Sequence, residues 1–448
     1  MRFFLRYPIF LLAFGPPEFK PPIVGIDTSK AHFDAWNVIQ VSWLSVVALR
    51  AILRLVGGRP ILMTRQIRSV LKLAFILGFL FLASVAYSPG RVISAEYCFL
   101  YFLNLTCIVE FVSESYRKPP DWMQCIFQLR LVSTLLTATV LLTAFLAPTL
   151  VIQGNNRLMG GSVAAVPLYS PLIAITSAYS FLHSLEPRIR SGLFFLLGLG
   201  CTVATQTRGV EISLLAILAM AVIGWGKMRR QFAFIVASGL MAATLFSCVA
   251  IEVIGGPRIW QAFNRGQDTE TLITASGRTG VWQDQILYCV SHPEGMGYIA
   301  GVRAFHRRDY ATNLHAALTN IGGTDNSYIE VLTDAGWPAL AIYLAILSRT
   351  IFLGWRFSRK RELRGSPWLS ASRCHPLRCS LLLLLFCLAE GTESSTYVIP
   401  MSGSFYCQNI LLSIILGIST GMVIGSRSRT SRSVALTPPR RESYQKTA

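Results

Sequence analysis

The chain is divided into long apolar runs, and most of them have the length that a helix needs to cross a lipid bilayer. A hydrocarbon core about 30 Å thick requires roughly 20 apolar residues in a helix, which satisfies its own backbone hydrogen bonds. The runs lie at 3–14, 38–56, 69–87, 92–112, 126–150, 162–184, 190–206, 210–226, 231–255, 333–354, 377–390 and 405–424. Since the first and the eleventh are short, the sequence predicts an all-α, polytopic membrane helix bundle with about 11–12 transmembrane helices.

The composition favours a membrane protein over a soluble one. Hydrophobic residues make up 52% of the 448 residues and charged residues only 14%, whereas soluble domains usually carry about 25% charged residues. A soluble chain of this composition would expose large apolar patches. The formal net charge of +19 does not indicate nucleic-acid binding, because the basic residues form short clusters between the apolar runs.

Gaps rich in lysine and arginine alternate along the chain with gaps that are poor in them. The basic gaps are 59–68, 117–118, 188–190, 227–230 and 356–373, and the residues after 425 are basic as well. Because basic loops are retained in the cytoplasm, we expect both termini to be cytoplasmic and the long segment 256–330 to lie outside. The predicted organisation is an N-terminal bundle at 1–255, an outer loop at 256–330, C-terminal helices at 331–425 and a disordered basic tail at 426–448.

The large outer loop has the pattern of a folded segment. Apolar residues recur at helical spacing between Thr279 and Ser291, which predicts an amphipathic helix. Gly295 and Gly297 predict a turn after it. Asp325 has the right chemistry to cap the next helix. We therefore expect the loop to fold onto the membrane surface and to cover a cavity.

Three arginines lie in gaps that are predicted to face outward, each beside small residues. Their motifs are Asn156-Arg157-Leu-Met-Gly160, Thr207-Arg208-Gly209 and Ser276-Gly-Arg278-Thr-Gly280. A guanidinium binds phosphate oxygens in pairs, and glycine lets a phosphate approach the backbone. The set favours an anion site at the outer membrane surface. For a single arginine, snorkelling to the interface or pairing with an acid such as Glu211 remains open.

These motifs, in this order, resemble the signature region of the O-antigen ligase and polymerase superfamily over roughly residues 150–345. The other parts of the resemblance are His292-Pro293, Gly295-Met-Gly297-Tyr298, Asn326-Ser-Tyr328-Ile-Glu330 and Gly336-Trp-Pro338. The resemblance implies a GT-C-like, multi-pass protein of the bacterial inner (plasma) membrane. It implies glycosyl transfer from a polyprenyl-diphosphate-linked saccharide donor to a glycan or lipid acceptor, without a metal or another cofactor. A chain-length regulator is a further implied partner.

The resemblance also implies the roles of individual residues. It assigns Arg208 and Arg278 to the substrate diphosphate, with Arg157 assisting. The family usually has His-Asn where this chain has Asp325-Asn326, and that histidine is the proposed base of the ligases. An aspartate can also accept a proton, so Asp325 is the candidate base, while the interpretation as a helix cap stays open. The acceptor-side candidates are Asn326, Tyr328 and His315, with His306 a further one.

The sequence leaves several functions open. The favoured one is polymerisation of exopolysaccharide or O-antigen repeat units, because Asp325 departs from the ligase pattern. An O-antigen ligase acting on lipid A core or on protein is the alternative within the family. A lipid-linked-sugar transporter and a membrane scaffold are alternatives of other classes. The sequence lacks the similar halves that many transporters have, and the aromatic-rich outer loop argues against a scaffold.

The predicted orientation can be tested by labelling single cysteines in intact cells, in a background without the native cysteines. A membrane-impermeant maleimide should label cysteines introduced at 264–320 and should miss those at 358–372, because the basic gap is retained inside. Cysteines at 358–372 should become reactive only after the membrane is permeabilised. Labelling of 358–372 in intact cells would reverse the orientation and with it the side of the anion site.

Overall fold

The computed structural model describes residues 35–58, 61–117, 122–153, 157–158, 166–205, 207–225, 278–298, 326–358 and 376–390. Within these ranges the chain forms ten α-helices and one two-stranded hairpin. The helices are α1 (Ala35–Val56), α2 (Arg65–Ser84), α3 (Arg91–Arg117), α4 (Trp122–Leu146), α5 (Val166–Leu182), α6 (Arg188–Thr205), α7 (Arg208–Trp225), α8 (Arg278–Ser291), α9 (Ser327–Ser358) and α10 (Pro376–Glu390). A 3₁₀ turn (Pro148–Leu150) and the antiparallel strands β1 (Ile152–Gln153) and β2 (Arg157–Leu158) follow α4.

The prediction of an all-α, polytopic membrane protein is confirmed. Among the described residues, the segments long and apolar enough to span a membrane are Arg65–Ser84, Tyr97–Tyr116, Met123–Leu146 and Ser327–Ser358. Shorter apolar helices are Val166–Leu182, Gly209–Ala221 and Leu377–Ala389. The amphipathic helix predicted in the outer loop is α8. The predicted runs at 3–14, 231–255 and 405–424 and the predicted tail lie outside the described residues.

Helix α5 is the centre of one group of helices. It packs against α4, α6, α7 and α10, and the side chains along most of its length are buried. Helix α6 approaches α5 closely at Gly198, where an added Cβ would lie 2.6 Å from the backbone nitrogen of Ala174. Beside this contact, the hydroxyls of Ser170 and Thr202 are 3.0 Å apart. Small residues and a hydroxyl pair are what lets two helices pack tightly in a membrane.

A second group consists of α1, α2 and α3, and ion pairs connect the ends of α1 and α3. Arg54 lies 2.7 Å from Glu110 and 2.6 Å from Glu114. Arg50 reaches the same two carboxylates at 3.3 and 3.6 Å. Charged side chains in membrane helices are costly unless they are paired. Here the two arginines and the two glutamates neutralise one another.

Helix α9 joins the two groups, since it packs against α2 and against α10. Its helical conformation is interrupted at Ala335 and Gly336, where Gly336 has φ +77° and ψ −176°. This backbone region is essentially restricted to glycine. An added Cβ would also lie 1.9 Å from the carbonyl oxygen of Pro293. The sequence predicted a run at 333–354 and did not predict the break.

The backbone groups that the break exposes are paired with the segment that follows α8, residues 293–298. The amides of Met296 and Gly297 donate to the carbonyls of Thr333 (2.7 Å) and Asp334 (2.8 Å). The amide of Trp337 donates in turn to the carbonyl of Pro293 at 3.1 Å. Since an unpaired backbone group in an apolar environment is costly, these bonds are what permits the break.

The same loop segment is anchored to α2 and α3 through Tyr298. Its ring is completely buried and stacks on Phe81 with 4.0 Å between the ring centroids. Its amide donates to the Ser84 hydroxyl at 2.9 Å, and its carbonyl accepts from Ser94 at 2.6 Å. Gly297 precedes it with φ +113°, and a Cβ there would lie 2.4 Å from that of Ser88.

A hydrogen bond from Tyr87 fastens the turn just before this anchor. The hydroxyl of Tyr87 donates to the carbonyl of Glu294 at 2.6 Å. Burial, followed by the charges of Glu294 and Asp334, raises the pKa of Tyr87 to about 12. The hydroxyl therefore stays protonated, and remains a donor, across the physiological pH range.

Replacing Gly336 by alanine should destabilise the protein by about 3 kcal/mol or more, because the backbone conformation excludes a Cβ and the Pro293 carbonyl occupies its place. Gly200→Ala is the matched control, since a Cβ there meets nothing within 4 Å and alanine favours a helix. The measurement is the midpoint of thermal unfolding in detergent, read by size-exclusion chromatography after heating. Equal midpoints for the two variants would show that the close contact between Gly336 and the Pro293 carbonyl does not stabilise the protein.

Candidate active site

The first part of α9, before the break, carries two of the predicted site residues. Asn326 is the N-cap of this part, and its Oδ1 accepts from the amides of Tyr328 (3.0 Å) and Ile329 (3.1 Å). Asparagine and aspartate are equally good caps. The capping role that the sequence allowed for Asp325 is therefore filled by its neighbour.

A polar stripe follows the cap along one face of α9. Asn326, Glu330 and Asp334 are spaced four residues apart, so they lie above one another on the helix. Glu330 and Asp334 are each only 2% exposed. Buried carboxylates are rare unless they pair or take part in function. Neither acid was predicted as a site residue, although the spacing of four is visible in the sequence.

Tyr328 connects the start of α9 to the C-terminal end of α10, where its hydroxyl donates to the carbonyl of Leu388 at 2.9 Å. Helix α10 also packs against α7, whose first residue is Arg208. The acceptor-side candidates Asn326 and Tyr328 and the diphosphate candidate Arg208 thus lie on two helices that share α10 as a neighbour.

The positions of the other two candidate arginines, Arg157 and Arg278, are given by the strand and the helix that contain them. Arg157 pairs with Gln153 in the hairpin register, and its strand packs against α6, the helix that leads to Arg208. Arg278 is the first residue of α8. The other end of α8 is bonded to α9, where the Trp337 indole donates to the carbonyl of Cys289 at 2.9 Å.

The remaining predicted site residues, Asp325, His315 and His306, lie outside the described residues. Among the described side chains, no three His, Cys, Asp or Glu residues gather as the ligands of a metal ion would. Ser84 and Ser94, which hydrogen-bond to Tyr298 at the end of the 293–298 segment, were also not predicted from the sequence. The motif of that segment is visible in the sequence, but its partners lie more than 200 positions earlier in the chain.

Fold and site together define a polytopic helical membrane protein in which the 293–298 segment is hydrogen-bonded to a broken helix. Residues 193–344 match the family model described as O-antigen ligase. The match runs from α6 into α9 and includes Arg208, Arg278 and Gly336. It confirms the predicted recognition of the O-antigen ligase and polymerase superfamily, and a membrane function of that general type. No curated protein matches the chain.

Asn326→Ala should lower the stability by about 1 kcal/mol, because two backbone amides at the start of α9 lose their acceptor. Asn326→Asp should keep the cap and the stability, since a carboxylate accepts the same bonds. Thermal unfolding midpoints of the purified variants measure both effects. If the Asn326→Ala variant unfolded at the same temperature as the natural protein, the cap would not contribute to the stability of α9.

Proposed function

We propose that this protein is a metal-independent membrane glycosyltransferase that polymerises polyprenyl-diphosphate-linked oligosaccharide repeat units on the outer side of the inner membrane. The supporting observation is that Arg208 and Arg278 both lie within the family match, and that Arg208 is the first residue of α7. The first turn of a helix has free backbone N–H groups and a partial positive charge. An arginine at this position adds a fork of donors to an end that already favours a phosphate.

The proposed reaction is a direct displacement at the anomeric carbon of the donor sugar. The acceptor hydroxyl oxygen forms the new glycosidic bond while the bond from the anomeric carbon to the phosphate oxygen breaks. Arg208 and Arg278, with Arg157 assisting, stabilise the negative charge that develops on the departing polyprenyl diphosphate. Asp325 takes the proton of the acceptor hydroxyl, which Asn326 and Tyr328 help to orient.

Residue 325 is the reason for preferring a polymerase over a ligase. The family pattern has histidine at the position of Asp325, and the proposed ligase base is that histidine. A carboxylate can serve the same purpose with a sugar hydroxyl of another lipid-linked repeat unit. The ligase alternative has the description of the matching family in its favour, so the acceptor must be tested directly.

Arg208→Lys and Arg278→Lys should each reduce polymer formation by about thirty- to a thousand-fold, because lysine keeps the charge and loses the paired geometry. Arg91→Lys is the matched control, since Arg91 is exposed and also begins a helix, α3, outside the family match. The assay is polymer length on a gel in a deletion strain, with protein level checked by blot. Normal polymer from both variants would contradict the proposal that these two arginines bind the diphosphate.

Asp325→Asn should abolish polymer formation while the protein still accumulates, because an amide cannot take the proton. Since Asn326 caps α9, loss of activity in this variant would not be explained by loss of a cap. Asp284→Asn, at an exposed position of α8, makes the same chemical change as a control. Normal polymer from Asp325→Asn would show that Asp325 is not the base, and His315 would be the next residue to change.

A further inference from the structure

A cavity of about 290 Å³ lies between α4 and α6, beside the connection from α5 to α6. Its volume is close to the lower end of the range found for ligand pockets, about 300–1,000 Å³. Helix α6 begins with the basic residues at 188–190, so the predicted topology puts the cavity at the cytoplasmic surface. The cavity is therefore separate from the proposed active site, and a ligand bound in it would not depend on the proposed glycosyltransferase function.

The wall of this cavity carries an excess of positive charge. Arg130, which is 4% exposed, forms an ion pair with Glu186. Arg190 approaches the other oxygen of the same carboxylate, with Nε 3.5 Å from Oε2. Two guanidinium groups therefore share one carboxylate, and one positive charge is left over. The Arg190 side chain is 64% exposed, so its guanidinium is open to an incoming anion, and the wall suits a ligand with one negative charge.

The rings around Arg130 hold its guanidinium in place. Its Cζ lies 5.2 Å from the ring centroid of Phe127 and 4.9 Å from that of Phe194. Arg130 Nη1 also donates to the hydroxyl of Ser180 on α5 at 3.4 Å. A cation fixed between two aromatic faces loses little conformational freedom when it binds an anion. This part of the site is thus preorganised.

Gln128 supplies a second, independent indication of a ligand. Its side chain lines the same cavity and is 6% exposed. Among the described residues, its Oε1 has no hydrogen-bond partner. Buried polar atoms are nearly always paired, so an unpaired acceptor on a residue that lines the cavity favours a ligand that brings a donor. A ligand that matches the whole wall has a monoanionic group for the arginines and a hydroxyl for Gln128.

Both helices that form the cavity also carry exposed leucines. Leu131 and Leu135 on α4 are 50% and 54% exposed, and Leu193 and Leu196 on α6 are 64% and 63% exposed. In a bilayer these side chains would lie against acyl chains. An anionic headgroup in the cavity would therefore continue directly into apolar chains along the leucines.

We propose that the cavity binds the headgroup of an anionic glycerophospholipid such as phosphatidylglycerol. The phosphodiester lies between Arg130 and Arg190, a headgroup hydroxyl donates to Gln128, and the acyl chains follow the exposed leucines. Basic pockets between helices at the cytoplasmic surface bind lipid headgroups in this way. The bound lipid would fill the gap between α4 and α6, both of which pack against α5.

The test is native mass spectrometry of the purified, delipidated full-length protein after addition of phosphatidylglycerol. Arg190→Gln and Gln128→Leu should each reduce the bound fraction, with an apparent Kd about tenfold weaker. Arg188→Gln is the matched control, because Arg188 is an exposed arginine of the same helix and does not line the cavity. The control should retain the lipid as the unaltered protein does.

Two further arms identify the ligand. Phosphatidylcholine, which carries no net charge, should bind much more weakly than phosphatidylglycerol, and soluble glycerol 3-phosphate at the same concentration should not displace the lipid. Equal binding of the two lipids would mean non-specific contact, and displacement by glycerol phosphate would mean a soluble ligand. Either result, or unchanged binding by both Arg190→Gln and Gln128→Leu, would overturn the proposal.

Discussion

The structure depends on how the backbone hydrogen bonds of α9 are completed where this helix is broken. In a membrane a helix cannot lose these bonds unless other protein groups replace them. At Ala335 and Gly336 the replacement comes from the 293–298 segment, whose carbonyl and amides pair with α9 on both sides of the break. Tyr298 then fastens that segment to α2 and α3. The 293–298 segment is thereby fixed to α2, α3 and α9.

The hydrogen bonding between α9 and the 293–298 segment determines where the candidate active site can form. It ends the first part of α9 at a fixed point, so Asn326 and the buried acids Glu330 and Asp334 are held beside the predicted outer ends of their neighbours. Tyr328 bonds to α10, which packs against the helix that Arg208 begins. The proposed site thus collects residues that are far apart in the sequence, and a rigid framework is what such a site requires.

Much of the fold could be predicted from the sequence, because apolar length and basic gaps report directly on membrane helices. The break in α9 could not, since hydrophobicity contains no information on the backbone angles of Gly336. Neither could the cap be assigned, because Asp325 and Asn326 are adjacent and cap equally well. The arginine motifs indicated an anion site, but a pair such as Arg130 on α4 and Glu186 in the connection from α5 to α6 joins residues that are 56 positions apart, and their proximity is a property of the packed structure.

Turnover by the purified protein tests the central claim most directly, because it separates group transfer from transport and from scaffolding. The protein would be supplied with a polyprenyl-diphosphate-linked oligosaccharide in detergent, and both the lipid product and the saccharide would be measured. We predict that polyprenyl diphosphate is released together with a saccharide that is longer by whole repeat units. If an active preparation moved the lipid-linked saccharide across a vesicle membrane and formed no new glycosidic bond, the glycosyltransferase function would be contradicted.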